Sequence, residues 1–186
     1  MEFLINILLQ DKPSKYIRKY LNEILVLIPE LSNSINFNQN NVWHIYDVFE
    51  HILHVIDGVP NNPVLRLAAL FHDIGKPFVY KEDENGIGHF YGHWDKSNEI
   101  FLHFANNYKL NNDIKKLISN LIIYHDKNID KLNEDEVNDL ISIFGIDGIK
   151  MLFQLKRSDL LAQNKEYHYL LGNINEQEIK ILKRGN

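Results

Sequence analysis

Residues 63–77 read PVLRLAALFHDIGKP, and this stretch decides the fold class. Up to its His-Asp pair the side chains are apolar on nearly every side of a helix, which is typical of a helix buried at the centre of a domain. Pro63 suits the first turn of such a helix, and Gly75 ends it. His72 and Asp73 therefore fall at the end of a helix that has hardly any polar surface of its own.

The apolar spacing of the rest of the chain is also helical. It predicts further helices over residues 14–28, 46–57, 96–108, 112–124, 134–144, 146–163 and 175–183. The first of them is expected to take Ser14 as its N-cap and to stop at Pro29. Residues 81–93 hold three glycines and several charges, so we predict a loop or a lid there. The predicted fold class is all-α, a helical bundle with a central metal site.

The composition narrows the class of protein. A length of 186 residues suits one domain, and a hydrophobic fraction of 45% is ordinary for a globular fold. The absence of cysteine excludes disulfides and thiolate metal sites. The apolar start of the chain is short and carries Glu2 where a signal peptide has basic residues. We therefore expect neither a signal peptide nor a membrane helix, and a cytoplasmic location.

The net charge of −5 argues against broad binding to nucleic acid, which depends on neutralising phosphates. A local basic patch around Lys150, Lys156 and Arg157 stays open as an alternative. A small phosphorylated ligand is compatible with this charge.

Several polar residues fall on apolar helix faces. His51 shares a stripe with Val48 and Val55, and both His125 and Asp159 extend apolar stripes on their own predicted helices. Burying unpaired carboxylates beside imidazoles is costly, and a bound cation removes that cost. Two imidazoles and two carboxylates suit a divalent transition ion and leave coordination positions for water or substrate.

Each of these residues also has a simpler interpretation. A single histidine on an apolar face is more often a hydrogen-bonded core residue than a ligand. A His-Asp dipeptide is common, and Asp159 alone is compatible with pairing to Arg157. The joint pattern favours the metal site.

The order His51, His72-Asp73, Asp159 resembles the H…HD…D signature of the HD superfamily, and residues 71–77 resemble its HDIG variant. A longer resemblance, over about residues 17–165, is to the HD portion of bacterial CCA-adding tRNA nucleotidyltransferases. It is carried by residues 39–51, 65–70, 88–93, 124–126 and 155–164. The glycine-rich segment and paired acids of the nucleotidyltransferase head are not found in these residues. The resemblance therefore does not imply the nucleotide-adding activity of those enzymes.

The resemblance implies one HD domain over residues 1–186, with N-terminal and C-terminal helices packing on the core. It implies a metal-dependent phosphohydrolase whose first ion is held by His51, His72, Asp73 and Asp159. In relatives with two ions, residues that match His93 and His125 hold the second ion, and the acid that matches Asp73 bridges both.

The expected cofactor is therefore one or two divalent transition ions, with Mn, Fe, Co, Ni and Zn all compatible. Candidates for catalytic roles are Asp73, Lys76 and His93, and candidates for contact with the substrate are Lys76 and His89. His44 and His54 are weaker candidates for a place near the site.

The expected reaction is hydrolysis of a phosphoester in a nucleotide or an RNA end, such as a 2′,3′-cyclic phosphate or a nucleoside monophosphate. The alternative is a metal-stabilised module, related to tRNA nucleotidyltransferase, that binds RNA or protein without turnover. A purely structural metal is a third interpretation.

Overall fold

A computed structural model describes residues 1–129 and 132–184 of the chain. The helices are α1 Glu2–Leu8, α2 Pro13–Lys19, α3 Leu21–Leu27, α4 Val48–Gly58, α5 Pro63–Phe71, α6 Lys76–Val79, α7 His93–Asn107, α8 Asn112–Tyr124, α9 Glu134–Leu161 and α10 Leu171–Leu182. Two 3-10 segments, Pro29–Ser34 and Lys165–Leu170, connect helices. The predicted all-α class is confirmed.

Helix α5 is the centre of the bundle, as its composition predicts. Every residue from Leu65 to Phe71 is buried. The helix begins at Pro63, and the Asn62 side chain accepts hydrogen bonds from the first backbone amides. It packs against α1, α4, α7, α8 and α9. Its C-terminal end consequently lies inside the protein, where His72 and Asp73 are surrounded by side chains of other helices.

The predicted division of the chain into helices was wrong at two places. The helix expected over residues 14–28 is divided at Tyr20 into α2 and α3, and Ser14 lies inside α2 with its hydroxyl bonded to Asp57. The helices expected over 134–144 and 146–163 are instead one element, α9, which is kinked at Gly145 with a φ of 62°. Glycine adopts this backbone conformation without steric cost, so the chain turns there without a loop.

Residues 81–93, predicted as a loop or lid, contain a short β-hairpin. Strand β1, Lys81–Glu82, pairs antiparallel with β2, Gly88–His89. Strands of two residues are too short to produce a readable alternation of polar and apolar positions. The Gly88 amide donates to the Asn40 carbonyl at 2.8 Å, so β2 is fixed to the segment that precedes α4.

The buried Arg66 on α5 anchors α1. Its guanidinium donates to the carbonyls of Leu8, the last residue of α1, and of Gln10, two residues beyond it, which have no partner within that helix. We expect Arg66→Met to lower the free energy of unfolding by about 3 kcal/mol, because charged hydrogen bonds to buried carbonyls are lost. Denaturant titration of both proteins measures this difference.

The matched control is Arg18→Met, which removes an arginine that pairs with Glu50 at the surface. Its expected cost is about 0.5 kcal/mol. Equal losses in the two variants would contradict the anchoring role of Arg66.

The helices of residues 1–129 and 132–184 include none with the length and apolar character required to cross a bilayer.

Candidate metal centre

Helices α4, α5 and α9 bring the first predicted ligand set together. His51 comes from the middle of α4, His72 and Asp73 follow the end of α5, and Asp159 lies in the last turn of α9. The His51 Nε2 atom lies 3.0 Å from Asp159 Oδ1, 3.2 Å from Asp73 Oδ2 and 3.3 Å from His72 Nε2. One ligand atom from each of the four residues lies within 4.8 Å of the others.

A second cluster shares Asp73 with the first. His93, the first residue of α7, and His125, which follows the last turn of α8, place their Nε2 atoms 3.2 Å apart. These atoms lie 3.2 Å and 3.6 Å from Asp73 Oδ1. Each oxygen of the Asp73 carboxylate thus faces a different histidine pair.

The histidines are oriented by hydrogen bonds on their outer ring nitrogens. His72, His93 and His125 each place Nδ1 within 2.9 Å of the carbonyl three residues earlier, and His51 places Nδ1 at 3.4 Å from the Ala162 carbonyl. A carbonyl only accepts, so Nδ1 carries a proton, and whenever the ring is neutral its Nε2 lone pair turns inward. When both rings of a pair are neutral, two lone pairs face each other.

This arrangement fits a divalent cation. Facing lone pairs repel each other unless a proton or a metal ion lies between them. Two donors at about 2.1 Å from one ion, at a tetrahedral angle, lie about 3.4 Å apart, close to the 3.2–3.3 Å found in both histidine pairs. The C-terminal ends of α5 and α8 also point at the site, and their partial negative charge favours a cation.

The Asp73 carboxylate supports the same conclusion. It is 2% exposed, and its Oδ2 atom lies 2.7 Å from Lys76 Nζ and 3.2 Å from His51 Nε2. Burial acts to raise the pKa of Asp73, but the charges of Lys76 and His72 and hydrogen bonds from His125 and His51 hold it well below its usual range. The group is therefore a buried anion, and its oxygens face both histidine pairs.

Close approach of the helices depends on two small residues. A Cβ atom on Gly75 would lie 2.5 Å from the His93 carbonyl, and the Gly75 amide donates to Ser97 Oγ, so α7 fits directly against the turn after Asp73. On α9, Ser158 donates to the Val55 carbonyl of α4 at 2.9 Å. This contact sets Asp159 beside His51.

The predicted substrate lysine, Lys76, is held at the edge of the first cluster. Its Nζ atom lies 2.7 Å from Asp73 Oδ2, and it donates to Gln39 Oε1 at 2.9 Å and to His44 Nε2 at 3.1 Å. Burial and the Lys76 charge lower the pKa of His44 to about 2, so this imidazole is a neutral acceptor. The ammonium group is thereby fixed in position.

Gln39 and His44 are thus parts of the site that sequence reasoning left out or ranked low. Gln39 is 1% exposed and lies in a segment without regular secondary structure. Helical periodicity carries no information about such a segment. The residues quoted for the family resemblance are the signal that could have identified Gln39.

Residues of both clusters line a cleft of about 580 Å³. Asp73, Lys76, His93, His125 and Asp159 all line it, as does His89 on β2. His89 Nε2 lies 3.0 Å from Asp83 Oδ2. His54, by contrast, is exposed and stacks on Tyr46, so it faces away from the cleft.

Each cation around which a basic patch was left open has a partner in the structure. Lys150 pairs with Asp147, Arg157 pairs with Glu178, and Lys156 donates to the carbonyls of His125 and Lys127. Two of the three charges thus lie beside an acid. In the case of Lys156, the bond to His125 also ties α9 to the end of α8.

The pKa of His51 leads to a prediction for the metal-free protein. Burial lowers this pKa, but hydrogen bonds and charges from Asp159 and Asp73 outweigh burial and raise it from 6.5 to about 9. A raised folded-state pKa stabilises the fold below pH 6.5, and this contribution is lost as the pH rises through 9. We expect the free energy of unfolding in EDTA to fall by up to about 3 kcal/mol between these values.

Chemical denaturation at a series of pH values, with and without a His51→Gln substitution, measures this effect. His54→Gln, on the exposed face of the same helix, is the control and should retain the fall in stability. A metal-free protein whose stability is constant or rises over this range would contradict the assignment of a proton to His51.

The comparison with known proteins covers the residues of both clusters. The family model described as "HD domain" matches residues 44–168, which contain every residue of both clusters. The chain belongs to the HD domain family. HD domains are generally metal-dependent hydrolases, and the buried His/Asp clusters of this HD domain fit a metal site.

A curated relative is the CC-adding tRNA nucleotidyltransferase of Thermus thermophilus. It is 40% identical over 81 residues, which make up 40% of this chain and 18% of that protein. The HD domain described here therefore matches only a small part of the length of this relative.

Proposed function

We propose that this HD domain hydrolyses a phosphoester of a nucleotide or of an RNA end. The observation that carries the proposal is the shared carboxylate of Asp73. Its two oxygens face two histidine pairs at an open cleft, and a fixed ammonium group lies 2.7 Å from one of them. A metal site with a purely structural role needs no cleft and no adjacent cation.

His51, His72, Asp73 and Asp159 would hold a first ion, and Asp73, His93 and His125 a second. A bound divalent cation supplies polarisation of the phosphoryl group and acidifies water at neutral pH. The chemistry requires that water form a new P–O bond while the ester P–O bond breaks and the leaving oxygen acquires a proton.

The residues of the chain contribute charge and position. Negative charge grows on the phosphoryl oxygens and on the leaving group, and Lys76 lies where it would offset that charge. Gln39 and His44 hold the Lys76 ammonium by two hydrogen bonds, so little reorganisation is needed when substrate binds. His93 turns its Nε2 toward the cleft because Nδ1 is bonded to the Phe90 carbonyl.

The test is turnover by metal-reconstituted protein. Mn²⁺, Co²⁺, Ni²⁺ and Zn²⁺ forms would be assayed against 2′,3′-cyclic AMP, AMP and bis-p-nitrophenyl phosphate. We expect phosphate ester cleavage that is lost in EDTA and in His51→Ala. His54→Ala, one turn along the same helix and exposed, should retain it.

Bound metal without turnover on any of these substrates would overturn the proposal and favour the binding module. The pairing of Lys150 and Arg157 with acids supports the enzyme over that alternative, because sequence-independent RNA binding depends on available cations.

A further inference from the structure

A second concavity adjoins the metal cleft. It has a volume of about 480 Å³ and is formed by residues 40–43 on one side and residues 87–89 of the hairpin on the other. We call it the lateral groove. Its walls present apolar side chains to solvent: Val42 is 66% exposed, Trp43 is 43% exposed and Ile87 is 42% exposed. Contiguous exposed apolar surface of this kind marks a binding site in soluble proteins.

The walls of the lateral groove are held at a fixed separation. The Gly88 amide donates to the Asn40 carbonyl at 2.8 Å, and a Cβ atom on Gly88 would lie only 2.3 Å from the Gln39 carbonyl oxygen. Only glycine permits this contact. The groove is therefore formed before any ligand arrives, which lowers the entropic cost of binding.

Trp43 is also held in place. Its ring lies 3.8 Å from the ring of Tyr167, and its carbonyl accepts a hydrogen bond from the Asn164 amide at 2.8 Å. These contacts orient an exposed indole at the boundary between the two concavities. A large aromatic side chain that is fixed and still partly exposed is suited to stacking on a flat ligand.

The lateral groove is continuous with the metal cleft. Trp43, Gly88 and His89 line both. Trp43 is followed by His44, whose ring centre is 5.0 Å from that of the metal-ligand candidate His51. A substrate with its phosphate at the metal centre would therefore extend the part of the molecule beyond its phosphate-bearing group into the groove.

Charge distinguishes the two concavities. The metal cleft contains carboxylates and the Lys76 ammonium, whereas the described residues that line the lateral groove include no acid, lysine or arginine. The groove thus fits the uncharged and planar part of a substrate whose charged part is a phosphate. A nucleobase, with apolar faces and polar edges, has this chemistry.

We propose that the lateral groove binds the nucleobase of the substrate, with Trp43 as its stacking surface and Ile87 as the opposite wall. This inference rests on the proposed function, since it assigns a place to the base of a nucleotide whose phosphate lies at the metal centre.

The lateral groove offers few polar groups that could distinguish one base from another by hydrogen bonds. The Asn41 side-chain oxygen accepts from the Trp43 amide and from His44 Nδ1, and the Asn40 side chain donates to the Tyr80 hydroxyl. These carboxamides shape the groove itself. Recognition by stacking tolerates every base, so we expect purines to bind better than pyrimidines but no strict selection among bases.

Binding of adenosine, which has no phosphate, tests the lateral groove without turnover or metal. The chain contains two tryptophans, so Trp94→Phe leaves Trp43 as the only indole fluorophore. In EDTA, adenosine should quench the fluorescence of this variant in a saturable manner, and ribose should not. Quenching without hydrolysis of any phosphoester would support base binding in the lateral groove and would contradict the proposed reaction.

Calorimetry with adenosine on single-site variants completes the test. Trp43→Ala should weaken binding by about 5- to 150-fold, because stacking on one aromatic contributes this much, and Trp43→Phe should restore most of it. Ile87→Ala should weaken binding to a smaller extent. Phe3→Ala, which removes an exposed aromatic of α1, is the matched control and should leave the affinity unchanged.

Equal affinity in Trp43→Ala, Trp43→Phe and the parent protein would overturn the inference, as would saturable binding of ribose with the affinity of adenosine. Either result is compatible with hydrolysis at the metal centre, so the groove and the reaction are tested separately.

Discussion

Replacing Asp73 by asparagine is expected to remove metal from both clusters and to lower turnover by about 10³-fold or more. The reason is that the two carboxylate oxygens face different histidine pairs, at 3.2 Å from His51 Nε2 and 3.2 Å from His93 Nε2. An amide offers one weaker ligand oxygen and no negative charge. Elemental analysis and a phosphoesterase assay on the same preparation measure both effects.

The control for Asp73→Asn is Asp95→Asn, which changes an exposed acid in the first turn of α7. It should keep both metal content and turnover. Thermal melting then separates the two roles of a metal: a variant that folds but lacks turnover indicates a catalytic site, whereas a variant that fails to fold indicates a structural one. Full turnover by a folded Asp73→Asn protein would contradict the assigned site.

Replacing Lys76 by methionine is expected to lower kcat by about 10²- to 10³-fold while metal content is retained. Methionine keeps the length and the apolar stem of the side chain but removes the cation that Gln39 and His44 hold beside Asp73. Loss of charge stabilisation in the transition state appears mainly in kcat rather than KM. Steady-state kinetics with the best substrate of the panel gives both constants.

Lys150→Met is the matched control for Lys76→Met, since this lysine pairs with Asp147 at the surface. It should retain kcat. If Lys76→Met changed only the metal content, or neither constant, Lys76 would have no part in the reaction.

The centre of the fold follows from the sequence because burial there is determined by local composition. The apolar stretch before His72 specified a buried helix, and Pro63 specified where it begins. The division at Tyr20 and the continuity of α9 through Gly145 could not be predicted in this way. Both depend on how neighbouring helices pack, and a glycine between two apolar patterns is compatible with a loop as well as with a kink.

The candidate site was predictable to the extent that its residues lie on helices. His51, His125 and Asp159 occupy apolar stripes, and a polar side chain in such a stripe is an informative exception. Gln39 and the groove-lining Trp43 lie in an irregular segment, and their positions depend on the hairpin and on the residues after α9. Contacts between residues that are far apart along the chain leave no periodic signal in the sequence.

The most direct measurement of the central claim is anomalous diffraction from crystals of the protein loaded with Mn²⁺, Co²⁺ or Zn²⁺. The account predicts a peak at about 2.0–2.2 Å from His51 Nε2, His72 Nε2 and one oxygen each of Asp73 and Asp159, and allows a second held by His93 Nε2, His125 Nε2 and Asp73. No peak at either histidine pair after loading with each metal, or a peak held by other residues, would contradict it.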